Sequence, residues 1–278
     1  MVTLGRAMEE RALNAVVTQR TDIAPGLMII RVIPDGWELP EFKAGQFTLL
    51  GLPCGAPRCE GSDDEPPPED PDKMIVRAYS ISSASIQREF LEFYLILVRS
   101  GALTPRLFSL QVGDRLHLSP KITGMFTLDV IPPDKNIVML GTGTGLAPYM
   151  SMIRTRLKQD ASRNFLVLHG ARHSTDLGYR DVLETIMDFC EVFTYVPVVS
   201  DSHHEAVPWN GRTGFLNECW NDPELWEQAG FVPDPATTHI LLCGNPRMIE
   251  GMLEVLQKQG FRKHTRKEPG QIHLEAYW

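Results

Sequence analysis

From about residue 11 to 130, apolar and polar positions alternate in short runs. NAVVTQR from Asn14, GLMIIRVI from Gly26, GQFTLLGL from Gly45, MIVRAYSI from Met74, LEFYLILV from Leu91 and DRLHLSP from Asp114 are rich in β-branched and aromatic residues, with Gly, Pro and Asp separating them. A period of two bounded by turn residues predicts strands. Six such runs, broken by one short helical stretch (TPRLFSL from Thr104), predict a closed antiparallel β-barrel.

After about residue 132 the period changes. NIVML, NFLVLHG, EVFTYVPVV and THILLC read as buried strands. Helical patterns separate them: APYMSMIRTRLKQ, DLGYRDVLETIMDF, a region from Gly214 to about Gln228, and PRMIEGMLEVLQKQG. This alternation predicts an α/β doubly wound parallel sheet with helices on both faces. GQIHLEAYW adds a last extended piece. The expected organisation is two domains, a barrel over 1–131 and an α/β domain over 132–278 with an aromatic tail.

The stretch from about 53 to 73, PCGAPRCEGSDDEPPPEDPDK, breaks the strand pattern. Rich in Pro and acid, it has little to bury and reads as a mobile, solvated hairpin loop between two barrel strands. Between Cys59 and Asp72, Glu60, Asp63, Asp64, Glu65, Glu69, Asp70 and Asp72 stand without a Lys or Arg, and they account for nearly all of the chain's formal charge of -8. The remainder is almost balanced, which argues against a nucleic-acid surface.

Hydrophobic content of 43% and charged content of 22% suit a soluble globular protein. No apolar run approaches a membrane span, and MVTLGRAMEERALNAVV lacks the apolar core of a signal peptide, so a cytoplasmic location is expected. The five cysteines are scattered and make no disulfide framework. Cys54 and Cys59 lack a second cysteine pair, and His203-His204-Glu205 lies in a polar loop without a spaced third ligand, so no metal site is expected.

Two stretches carry candidate chemistry. VRAYSISSA from Val76 puts a cation, an aromatic ring and hydroxyls on one strand, with Arg77 and Tyr79 on one face and Ala78 and Ser80 on the other. Neither face makes a good apolar core. NIVMLGTGTGLAPYMS ends a buried strand at Leu140. Gly141, Gly143 and Gly145 then let the backbone turn tightly, and Pro148 fits the first turn of a helix. The free N–H groups and the positive helix end make a pyrophosphate site there, although the spacing departs from G-x-G-x-x-G. Arg172 follows one strand and Arg212 lies on a loop after the next. A guanidinium pairs well with a ribose 2'-phosphate, and no carboxylate ends the strand closing at His169, so NADPH is preferred over NADH.

Taken in order, RAYS, GALTPRL, GTGTGLAP, CGNP and an aromatic chain end resemble the ferredoxin–NADP+ reductase family, most closely the bacterial members that also serve flavodoxin. The resemblance covers about residues 11 to 278, and the acidic insertion is the main departure. It implies FAD and NADP(H) as cofactors and ferredoxin or flavodoxin as partner, in a monomeric enzyme. By resemblance, Arg77 meets the FAD pyrophosphate, Tyr79 lies against the isoalloxazine and Ser80 sits near flavin N5. Ala78, Ser83, Ala84 and Ser85 line the same pocket. Gly101, Leu103 and Thr104, in the Gly-x-x-Ser/Thr-x-x-Leu segment, serve the pyrophosphate, while Tyr277 and Trp278 shield FAD. NADP falls to Gly141, Thr142, Gly143, Thr144 and Gly145, with Arg172, Arg212, Cys243, Gly244 and Asn245. Ser80, Cys243 and Glu275 are the implied catalytic set. Read alone, Thr104 before Pro105 is equally a helix cap. The alternatives are an NAD(P)H diaphorase or quinone reductase, an electron-transfer subunit, and a non-enzymatic flavin sensor.

Overall fold

Among residues 14 to 118 the alternating runs become strands whose inward positions meet in one core. The computed structural model describes residues 13–157 and 163–276. The chain divides into two compact units, one running to Thr127 together with Met150–Thr155, the other comprising Leu128–Tyr149 and the chain from Arg156 onward.

In the first unit, β1 (Ala15–Ala24) turns at Gly26 into β2 (Leu27–Pro34) and pairs with it antiparallel. β3 (Phe47–Pro53), β4 (Met74–Ser80), β5 (Leu91–Ile96) and β6 (Arg115–Leu118) complete the order β4-β3-β6-β1-β2-β5. A bridge between Ile81 and Phe93 joins the two edges, so the sheet closes as the sequence predicts. Val17, Met28, Ile30, Val32, Leu50, Leu52, Phe93 and Leu116 fill the interior. Each full burial of this kind contributes roughly 1.5–3 kcal/mol. The short helix α1 (Thr104–Leu107) adds Leu107 to that core, next to Leu103.

The second unit holds a parallel sheet in the order β10-β9-β8-β7-β11-β12. β7 (Asn136–Thr142) leads through α2 (Ala147–Arg156) to β8 (Phe165–Ala171), then through α3 (Arg180–Phe189) to β9 (Phe193–Val199). β10 is two residues, Arg212–Thr213, and the helical region expected after Gly214 resolves into α4 (Leu216–Cys219) and α5 (Pro223–Ala229). The chain then returns to the far side of β7 as β11 (Thr238–Gly244), and α6 (Pro246–Lys258) leads to β12 (Ile272–Ala276). Ile137, Val138, Met139 and Leu140 on β7 are all fully buried, as expected of a strand covered on both faces. The reversal of strand order between β7 and β11 is a topological switch point, where open parallel sheets bind ligands. Among the described residues no helix is long and apolar enough to cross a membrane.

Candidate functional site

The switch point is built from two turns that interlock. After β7 the backbone takes a left-handed φ of 53° at Gly143, and an added side-chain carbon there would meet open space. Gly145 is packed differently, since a Cβ on it would collide with the Cys243 carbonyl. On the β11 side, Gly244 has φ 124° and lies against Thr142. The Asn245 N–H donates to Thr142 Oγ1 at 2.8 Å, and Asn245 Oδ1 in turn caps α6 through the Arg247 N–H at 2.9 Å. A Cβ on Gly141 would stand 3.0 Å from the Tyr149 ring. Gly141 and Gly145 therefore serve packing, while Gly143 leaves backbone open above the sheet. Glycines forming a cradle, one with free space over it, fit a pyrophosphate.

Gly141, Cys243 and Glu275 stand side by side at the ends of β7, β11 and β12, because Cys243 is in register with both neighbours. Paired residues on neighbouring strands face the same way, so these positions form one row. Cys243 is fully buried and Glu275 half-buried. Tyr149 reaches beneath the row, its Oη 2.9 Å from the carbonyls of both Leu140 and Leu241. Burial, with Cys243 and Glu275 adding to it, holds the phenol well above its ordinary pKa. His169, one strand over on β8, is fully buried with Nδ1 3.1 Å from the Tyr195 hydroxyl. Burial pushes its pKa down to about 4 against an opposing pull from the Gly143 backbone, so the ring is neutral at pH 7. Its Nε2 has no partner at hydrogen-bonding geometry.

The two arginines read as phosphate ligands already have carboxylates. Arg172, 74% exposed, donates from Nε to Asp201 Oδ2 at 3.2 Å. The other Asp201 oxygen lies 2.5 Å from His204 Nδ1, and this bond is the main reason the carboxyl sits below its usual pKa. Arg212 lies on β10, not a loop, and pairs with Asp222. Glu205 accepts from both the N–H and the hydroxyl of Ser174, which lower its pKa. Sequence reasoning missed Asp201, and it missed Glu205 as the partner of Ser174. They meet Arg172 and Ser174 from a loop about thirty residues on, with no local signal of that meeting.

In the first unit Arg77 and Ala78 are exposed, Tyr79 is half-buried against the barrel core and Ser80 is buried. Arg77 Nη1 bonds back to the Val76 carbonyl at 2.8 Å, which leaves most of its five N–H donors for an anion. Burial raises the Tyr79 pKa and keeps the phenol neutral. Ser83 Oγ accepts the Glu92 N–H at 3.1 Å, and Ala84 accepts from the Gln87 N–H. Glu92 is a buried carboxylate in a strand otherwise apolar at its core positions; Arg31 (2.9 Å) and Arg154 (2.6 Å) neutralise it. Thr104 is not the cap of α1. Leu103 holds that position, while Thr104 Oγ1 accepts from the Val98 N–H at 3.0 Å and donates to the Val98 carbonyl at 3.1 Å. A Cβ on Gly101 would press on both Val98 and Thr104. An exposed guanidinium, a ring packed against the core and a glycine turn fit the chemistry FAD requires. Tyr277 and Trp278 lie outside the described residues.

Residues 139–254 match the family described as "Oxidoreductase NAD-binding domain". The chain is 31% identical over 238 residues to a flavodoxin/ferredoxin–NADP reductase of Buchnera aphidicola subsp. Baizongia pistaciae, covering 85% of this chain and 88% of the relative. It is 32% identical to a ferredoxin–NADP reductase of Azotobacter vinelandii, covering 84% and 86%. Among solved structures it resembles a ferredoxin NADP+ reductase of Neisseria gonorrhoeae with bound FAD and NADP, with TM-score 0.77 and 24% identity over 95% of this chain and 97% of that one. It also resembles an Amycolatopsis cytochrome P450 reductase, with TM-score 0.70 and 29% identity over 95% of this chain and 68% of that one.

Proposed function

Because the chain belongs to the flavodoxin/ferredoxin–NADP reductase family, we propose that its first unit holds FAD, its second binds NADPH, and its electrons pass to a ferredoxin or a flavodoxin. The chain is an FAD-dependent NADPH oxidoreductase. Bound FAD exchanges the two-electron hydride of NADPH for the single electrons a carrier accepts.

The chain's own residues bind, orient and handle protons. Arg77 grips the FAD pyrophosphate through its fork of N–H donors, and Tyr79 presents a flat neutral ring to the isoalloxazine. The Ser80 hydroxyl donates toward flavin N5. Gly143 and its neighbours receive the NADPH pyrophosphate at the switch point, with Arg172 and Arg212 on the 2'-phosphate. Cys243, fully buried, supplies a small wall for the nicotinamide, and Glu275 beside it exchanges protons. The row of Gly141, Cys243 and Glu275 at the sheet's carboxyl edge is the observation that carries this reading. Arg262, Lys263, Arg266 and Lys267, all exposed, make a positive patch suited to an acidic carrier. The enzyme works as a monomer in the cytoplasm.

The reading is tested at Ser80. Ser80→Ala should slow flavin reduction by NADPH roughly tenfold, the loss of one hydrogen bond to the reacting atom, with little change in NADPH affinity. Anaerobic stopped-flow at the flavin absorbance reads both quantities. An unchanged rate would take Ser80 out of the reaction.

A further inference from the structure

The acidic insertion is exposed along most of its length, yet its first half is hydrogen-bonded to the rest of its unit. Its base closes through the Cys54 N–H on the Lys73 carbonyl and the Gly55 N–H on the Pro71 carbonyl. Its first half then lies along the segment from Arg99 to Ser109. The Cys59 N–H donates to the Pro105 carbonyl at 2.9 Å, the Asp63 N–H to the Arg99 carbonyl at 3.1 Å, and Ser109 Oγ to the Pro57 carbonyl at 2.8 Å.

Two arginines tie the contact. Arg58 Nη1 donates to Glu65 Oε2 at 2.7 Å and to the Gly101 carbonyl at 3.2 Å, and Nη2 donates to the carbonyls of Asp63 and Arg99. Arg106, only 2% exposed, donates to the Ala102 carbonyl at 2.6 Å, to the Cys54 carbonyl and to the Glu65 carboxylate. Glu65 joins the two guanidiniums, and its pKa is lowered chiefly by the bond from Arg106.

This network pins the carbonyls of Gly101 and Ala102. In a trans peptide the carbonyl and the next N–H point opposite ways, so the N–H groups of Ala102 and Leu103 are turned away from the arginines. Neither donates to an acceptor among the described residues. We propose that the insertion is a brace: Glu65, through Arg58 and Arg106, positions the Gly101–Thr104 turn so that its N–H groups face the FAD pyrophosphate. Glu65 is a positioning residue, and the inference rests on the FAD site proposed above.

Apoprotein titrated with FAD, read by quenching of flavin fluorescence, tests the brace. Glu65→Gln should weaken FAD about tenfold, the scale of one charge-assisted hydrogen bond. Riboflavin, which has no pyrophosphate, should bind the variant and the parent protein alike. Arg58→Ala leaves the Arg106–Glu65 pair in place and should show the same selective loss if Glu65→Gln fails to fold. Glu69→Gln removes an exposed charge of the same run and should change nothing. An unchanged FAD constant in both brace variants, or an equal loss for riboflavin, would overturn the proposal. Failure of the unsubstituted protein to take up FAD would instead overturn the FAD site itself.

Discussion

The two candidate nucleotide regions solve the same problem, exposing backbone and cations to a phosphate, by opposite means. In the second unit the turn after β7 is locked into the turn after β11: Gly145 lies under the Cys243 carbonyl and Thr142 holds the Asn245 N–H. Its residues serve the fold and, in the proposed function, the ligand as well. In the first unit Arg77 and Ala78 stand outside the barrel core, and the turn at Gly101 is held from outside by the insertion. Substitutions in the interlocked turns of the second unit should therefore cost folding, and substitution of Arg77 in the first should cost binding alone.

The largest effect should come from Gly145→Ala. A Cβ has no room beside the backbone of Cys243 and Gly244, and overpacking of this kind costs roughly 1–3 kcal/mol or more. Thermal unfolding should show a clearly lower midpoint even without nucleotide. A midpoint equal to that of the parent protein would mean the two turns are not mechanically coupled.

Only half of that contrast is visible in the amino-acid sequence. Apart from the two-residue β10, the strands of both sheets were legible, by a period of two in the barrel and by continuous apolar stretches in the parallel sheet. The Gly141–Gly145 turn was legible because a strand ends and a helix begins around it. The anchors of the insertion's first half were not legible, because they are polar and distant in sequence: Arg106 meets Glu65 across 41 residues. Asp201 was invisible as a neighbour of Arg172 for the same reason, a pairing made by strand order and not by spacing. The helix-cap alternative for Thr104 gives way to a contact with Val98 that no local rule foresees.

Arg77→Ala comes next in size. Losing charge-assisted bonds to a pyrophosphate should weaken FAD by about 2 kcal/mol, roughly thirtyfold. The apoprotein's unfolding midpoint should stay where it was, because the side chain is exposed. A fall in apoprotein stability to match the loss of FAD would erase the distinction drawn between the two regions.

The smallest effect should belong to Asp201→Asn. Asp201 shares Arg172 with any 2'-phosphate that binds there, so removing its charge should tighten NADPH severalfold at most and leave NADH unchanged. Affinities measured at low and high salt check this, and the gain should shrink as salt screens it. Equal shifts for both nucleotides would place Arg172 away from the 2'-phosphate.

The central claim is most directly tested by the anaerobic absorption spectrum of the purified protein, taken before and after one equivalent of NADPH and, separately, NADH. The protein should be yellow, with flavin bands that NADPH bleaches far faster than NADH does. A colourless protein that takes up no added FAD, or a flavin that NADPH leaves oxidised, would contradict it.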